Sequence, residues 1–141
     1  CSAKAQKGLL TDSITSLKKW MMDNNTFPGL TEWVPIYLMR QGYCKFVDLE
    51  RSNRSSVISQ TIRRMGHAQD KIGWRHFTEG KITSALRSLQ EAHLLSCGSP
   101  VPISSWMREF ISKLLEMTHG QWICRNITKH HHTKRSKLIQ S

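Results

Sequence analysis

The residues best suited to chemistry lie near the C-terminus, where two histidines and an asparagine recur at helical spacing. Asn126 and His130 follow His119 by 7 and 11 residues, and an α-helix returns such positions to one side. Two imidazoles and one amide can bind a metal ion, contact a phosphate or hydrogen-bond to one another. No carboxylate or cysteine shares that side of the helix, so a metal site would need ligands from elsewhere. We expect no metal and interpret the three residues as a polar network, with a nucleic-acid contact as the alternative.

Cys124 adds a nucleophile to this segment and, with Asn126 and either His119 or His130, makes a cysteine–histidine–asparagine set on paper. On one helix, however, Cys124 points away from His119 and Asn126, and nothing in the sequence activates its thiol. The 10 acidic residues form no D-x-D or E-x-x-E cluster that would bind Mg²⁺ or exchange protons. The glycines form no nucleotide-binding pattern. We therefore expect neither a catalytic site nor a cofactor.

Positive charge is the strongest compositional signal. The 141 residues include 21 Lys and Arg against 10 Asp and Glu, a net charge of +11. The excess is uneven, because no acid follows Glu116 whereas five basic residues do. Such a charge favours a polyanionic partner, and nucleic acid is the partner we expect, although a solvated basic tail is the simpler alternative. The residues predicted to contact it are Arg64, Lys71, Arg125, Lys129, Lys134, Arg135 and Lys137.

The length of the chain predicts one domain with a core that needs no metal or disulfide. Its four cysteines, at positions 1, 44, 97 and 124, form no C-x-x-C pair, and we expect reduced thiols. No apolar run approaches the ~18 residues of a spanning helix, and no signal peptide is visible. We expect no membrane contact and an intracellular location, in the nucleus or cytoplasm. The start without Met is typical of a piece of a longer product.

Hydrophobic spacing predicts an all-α fold, a single-domain bundle of about five helices with a long C-terminal helix. The expected helices are 11–23, 35–41 with Pro35 first, 52–73, 82–96, and a last one from 104 or 105 to 130 or somewhat further. The only strand signal is a weak one over 43–49. We expect a linker or disorder at 1–10, a helical domain at 11–130 and a basic tail at 131–141.

The apolar periodicity also predicts which side chains form the core. The core list is Ile14, Leu17, Ile58, Ile62, Leu86, Leu89, Phe110, Ile111 and Leu114, with Trp74, Trp106 and Trp122 at least half buried. On the long middle helix, Arg64 and Lys71 fall opposite the apolar stripe. Gly66 inside that helix costs ~1 kcal/mol relative to Ala unless another backbone packs closely against it.

Two aromatic residues stand between two glycines in the segment 73–80. Trp74 and Phe77 could stack on nucleic-acid bases beside Arg75. The alternative is a tight connection that buries both rings between helices. We favour the buried corner, because the flanking helices need one.

A longer pattern runs through the second half of the chain. It consists of Gln69, Ile72-Gly73-Trp74, Phe77, Gly80, Gln90, Trp106, and then His119-x-Gln121-Trp122-x-x-Arg125-Asn126-x-x-x-His130. This succession resembles an uncharacterised domain of mobile-element reading frames that encode or neighbour reverse transcriptases. The resemblance implies an element that handles its own nucleic acid, but no polymerase motif is present. We therefore expect an accessory nucleic-acid-binding module, with a protein-interaction or structural domain as the alternative.

Overall fold

Helices make up nearly all of the structure, a computed structural model that describes residues 3–50 and 57–140. Side chains are described for 3–50, 60–123 and Asn126. The six helices in these ranges are α1 (Ala3–Asp23), α2 (Pro28–Met39), α3 (Phe46–Leu49), α4 (Val57–Thr78), α5 (Ser84–Ser96) and α6 (Ile103–Gln140). No strand occurs in the described ranges, and the all-α prediction is confirmed.

A chain of aromatic rings crosses the core from α2 through α4 to α6. The Tyr37 ring meets Phe77 at a centroid distance of 5.5 Å, Phe77 meets Phe110 at 6.2 Å, and Phe110 meets Trp106 at 4.9 Å. Such pairs contribute about 0.5–1.5 kcal/mol each beyond the area they bury. The predicted core residues found buried are Ile14, Leu17, Ile62, Leu86, Leu89, Phe110 and Leu114. Ile111 is half-buried, and the side chain of Ile58 lies outside the described residues.

The first two helices begin earlier than the sequence predicted. Helix α1 starts at Ala3 instead of Thr11 and buries Leu10 against the core. Helix α2 starts at Pro28, which takes the first-turn position that the sequence had assigned to Pro35. Pro35 lies inside α2 and is buried. The burial of most of this apolar helix outweighs the cost of one interior proline, about 3 kcal/mol.

The weak strand signal at 43–49 was wrong, because Phe46–Leu49 forms the single helical turn α3. A carboxylate from another helix caps this turn. The backbone N–H groups of Phe46 and Val47 donate to the two Asp70 oxygens of α4, at 2.6 and 3.1 Å. Phe46 is fully buried beneath the turn. Capping by Asp70 and burial of Phe46 therefore determine the conformation of a segment whose local sequence pattern is ambiguous.

Helix α4 breaks at Gly73, whose φ of 87° and ψ of 164° are non-helical. The short helical stretch beyond the break ends at Thr78, and Gly80 lies in the turn that follows, where φ is +86° and a β-carbon would lie 2.9 Å from Ile111. Glycine is required there by both the backbone angle and the close approach. This corner buries Phe77 completely and Trp74 partly, so the predicted buried corner is confirmed.

Candidate nucleic-acid interface

Helix α6 carries the basic C-terminal stretch, and two hydrogen bonds fix it at the edge of the bundle. The Thr118 hydroxyl donates to the backbone oxygen of Thr78 at 2.8 Å, and the Gln121 amide donates to the backbone oxygen of Gln6 at 3.1 Å. Beyond this level Trp122, Ile123 and Asn126 are exposed. The helix continues to Gln140 and includes 131–140, which the sequence had assigned to a tail.

The predicted polar network is only partly within the described residues. His119 and Asn126 are both exposed, and no hydrogen bond joins them in the described part of the chain. His119 instead lies parallel to the Trp122 ring, with a centroid distance of 5.9 Å and an interplanar angle of 13°. The side chain of His130 lies outside the described residues. The network of all three residues therefore stays a prediction.

The expected burial of Trp122 was wrong, because 61% of this residue is exposed. Trp106, earlier on α6, is buried as predicted. At this level the neighbour of α6 is α1, in which Gln6, near the start of the helix, accepts a hydrogen bond from Gln121, and Trp122 is exposed beside this contact. Helical periodicity placed Trp122 on the apolar side of α6 but could not show that no described neighbour covers it.

A second basic surface lies on α4, where Arg64 and Lys71 are exposed on one side of the helix. Neither forms an ion pair with another described residue, so both cations remain available to solvent anions. The contact between α4 and α6 described above lies at the far end of α4, at Thr78. The predicted exposure of this face is confirmed, whereas its role in binding stays a prediction.

The remaining predicted contact residues are Arg125, Lys129, Lys134, Arg135 and Lys137, and their side chains lie outside the described residues. Their backbone belongs to α6. A helix advances about 1.5 Å per residue, so residues 125 to 137 span about 18 Å of its axis. The five basic positions are therefore spread along the axis of the helix.

The corner at 73–80 is less suited to nucleic acid, because the Glu79 carboxylate offsets part of the positive charge around it. Glu79 lies 3.8 Å from the Arg75 guanidinium, 3.5 Å from the His76 ring and 3.8 Å from the Lys81 ammonium group. Phe77 is fully buried and cannot stack on a base. An open cleft of about 580 Å³ adjoins this corner, with Lys81 and Arg87 among its lining residues. It is a subsidiary place where an anion would meet positive charge.

A buried carboxyl group, which the sequence did not reveal, lies away from these surfaces. Glu50 is only 7% exposed and packs against Gly66, and its Oε1 has no hydrogen-bond partner among the described residues. Burial raises the pKa of Glu50 to about 8; Asp70 raises it further and Arg63 opposes the shift. The glycine inside α4 was the one sequence signal for this group. No cluster that could hold a metal ion occurs among the described residues.

Two glutamines of the longer pattern are structural. The fully buried Gln69 accepts from the backbone N–H and the hydroxyl of Thr83, at 3.0 and 2.8 Å, at the start of α5. Gln90 is also fully buried; it accepts from the Phe27 N–H at 2.8 Å and donates to the Asn25 oxygen at 2.9 Å. Both side chains hydrogen-bond to loop backbone, and we interpret them as residues that stabilise the fold rather than residues that bind a ligand.

The described residues contain no helix of sufficient length and apolarity to cross a bilayer. No family model matches the chain, and neither a curated protein nor a solved structure matches it. The resemblance to the mobile-element domain therefore depends on the motif residues alone.

Proposed function

We propose that this chain is an accessory nucleic-acid-binding helical module of a mobile-element protein, which acts by phosphate neutralisation without catalysis. One observation carries the proposal: helix α6 continues past Met117, its last described buried residue, with five basic residues and no acid after Glu116. The exposed Arg64 and Lys71 add cations on α4. The mobile-element context comes from the resemblance alone.

The mechanism follows from the physics of a polyanion. Each phosphate that a Lys or Arg neutralises releases condensed counterions, and that release drives binding. Contacts of this kind position a protein on the backbone but do not read the bases. No standard helix-turn-helix, zinc-finger or RNA-binding motif occurs in the sequence, and we infer largely non-specific binding of DNA or RNA.

A salt titration tests this function directly. The intact chain is titrated with generic single-stranded and double-stranded oligonucleotides at several salt concentrations, and binding is followed by fluorescence anisotropy of the labelled nucleic acid. Five phosphate contacts give a slope of log K against log salt of about −4 to −5 on a duplex. Absence of binding at low salt, or binding that salt does not weaken, contradicts the proposal.

A truncation after Thr128 locates the interface. It removes Lys129, Lys134, Arg135 and Lys137 and should flatten the slope by about 3 to 4 units. The core should remain folded, because the last buried residue described on α6 is Met117. A full-length variant with the same four residues changed to Gln is the matched control, since it removes the charge but keeps the helix. Changing Arg64 and Lys71 to Gln should have a smaller effect.

A protein-interaction module is the second candidate function, and the exposed apolar residues of α6 favour it. Leu115 is 45% exposed, Trp122 61% and Ile123 40%. An amphipathic partner helix covers such residues in known helix-in-groove complexes. Binding of this kind depends on buried apolar area and is retained at high salt, whereas phosphate binding is lost. The salt titration therefore separates the two candidates.

A further inference from the structure

We propose that Trp122 is a stacking platform for an unpaired base, so that the interface on α6 selects single-stranded over double-stranded nucleic acid. This inference rests on the proposed function and names the substrate class of that same interface. It adds a residue outside the predicted cationic set, which consists of Lys and Arg alone.

The ring of Trp122 is exposed in a way that suits a flat ligand. The imidazole of His119, one turn before it, lies nearly parallel to the indole at 13° and 5.9 Å. With this packing in place, 61% of Trp122 is still exposed to solvent. An indole held by a neighbouring ring offers a base a pre-oriented surface, so less side-chain entropy is lost on stacking.

The position of Trp122 along α6 places this platform at the start of the acid-free basic stretch. Arg125 and Lys129 follow it by three and seven residues, which return to the same side of a helix, about 4.5 and 10 Å further along the axis. A single strand that stacks one base on Trp122 would therefore carry its neighbouring phosphates along the cationic part of the helix. Aromatic rings beside a basic track are the combination that single-strand binders use.

The positive charge of α6 indicates which of the candidate partners binds this surface. A second copy of the chain would bring the same basic stretch close to the first, and these like charges repel. A duplex supplies phosphates, but its base faces are already stacked on one another and cannot reach the indole. A polynucleotide with unpaired bases supplies both the negative charge and the free π-face.

The test compares three nucleic-acid ligands, and a polyglutamate peptide as the acidic-protein control, on three variants of the full chain. The ligands are an oligothymidylate of about 20 nucleotides, a duplex of the same length, and an abasic oligonucleotide that keeps the phosphates but lacks bases. The variants are Trp122→Ala, Trp122→Phe and, as the matched control, Tyr43→Ala, which removes an aromatic residue 92% exposed elsewhere on the surface. Circular dichroism establishes that each variant is folded, which the exposure of both residues favours.

We expect Trp122→Ala to weaken oligothymidylate binding by about 5- to 150-fold, the loss typical of one base stacked on an aromatic ring. The affinity for the abasic strand and the slope against salt should not change. Trp122→Phe should restore most of the loss, and Tyr43→Ala should have no effect.

Four results would overturn the inference. If Trp122→Ala leaves the affinity for oligothymidylate intact, or lowers the affinity for the abasic strand equally, Trp122 does not stack on a base. Salt-dependent binding then persists, and the proposed function stands. If a polyglutamate peptide shows the same dependence on Trp122, the surface is one for acidic protein. If sedimentation shows a dimer that Trp122→Ala dissociates, the surface joins two copies. If no ligand binds at low salt, the proposed function fails as well.

Discussion

The carboxyl group of Glu50 occupies the space that a β-carbon on residue 66 would fill. A β-carbon built on Gly66 would lie 2.8 Å from the Glu50 carboxyl carbon, closer than real side chains approach. Close packing of another backbone was the one condition under which the sequence expected Gly66 to carry no cost, and the close neighbour is a side chain instead. The glycine therefore makes room for a buried acid between α3 and α4.

The first prediction concerns the coupling between these two residues. Gly66→Ala should destabilise the protein, because the new methyl group displaces the Glu50 carboxyl from its buried site. In a Glu50→Ala background, Gly66→Ala should instead stabilise the protein by up to about 1 kcal/mol, because alanine has a higher helix propensity than glycine. Urea unfolding of the four proteins in this cycle measures both effects. Equal effects of Gly66→Ala in the two backgrounds would show that the contact has no energetic role.

A second prediction follows from the raised pKa of Glu50. Its folded-state pKa of about 8 exceeds the ordinary value of 4.5, so the folded protein holds this proton more tightly than the unfolded chain does. The stabilising contribution is complete below pH 4.5 and is lost as the pH rises towards 8. The loss is at most about 1.4 kcal/mol per pH unit for one proton.

Glu50→Gln should remove this part of the pH dependence, which urea unfolding between pH 5 and about 8 measures. Glu91→Gln, a change at an exposed position on α5, is the matched control and should leave the slope of stability against pH unaltered. A Glu50→Gln protein whose slope equals that of the native chain would show that Glu50 titrates normally.

The third prediction concerns the buried amide of Gln90. Gln90→Ala leaves the Phe27 N–H and the Asn25 carbonyl oxygen without their partner, and each such loss costs about 1–3 kcal/mol. Thermal or urea unfolding should therefore show a destabilisation of about 2–6 kcal/mol. Gln60→Ala, an exposed change on α4, should fall within about 0.5 kcal/mol of the native value. Similar stabilities of the two variants would refute the structural role of Gln90.

A fourth prediction is that folding depends on neither metal nor disulfide. Cys44 and Cys97 are free thiols, and the described residues hold no group of potential metal ligands. The apolar core should supply the stability instead. Thermal unfolding with a chelator, with a reductant and with neither should give the same midpoint. A large drop with either reagent would reveal a structural metal or a disulfide.

The sequence by itself determined the all-α class and most of the core, because both depend on local periodicity. Residues such as Leu17, Leu86 and Leu114 recur at helical spacing, and the structure buries them. The exposed face of Arg64 and Lys71 follows from the same period. The uneven charge is likewise a property of the chain alone, as is the nucleic-acid hypothesis that depends on it.

Only the tertiary structure determined the features that depend on which residues from other helices pack against a given position. Trp122 is exposed because no described neighbour covers it beside the Gln121–Gln6 contact, and Glu50 is buried because Gly66 leaves room for it. The segment at Phe46 became a helical turn because Asp70, distant in sequence, caps it. Periodicity gives the side of a helix that a residue occupies, but burial is the removal of water by neighbours, and the local pattern does not contain those neighbours.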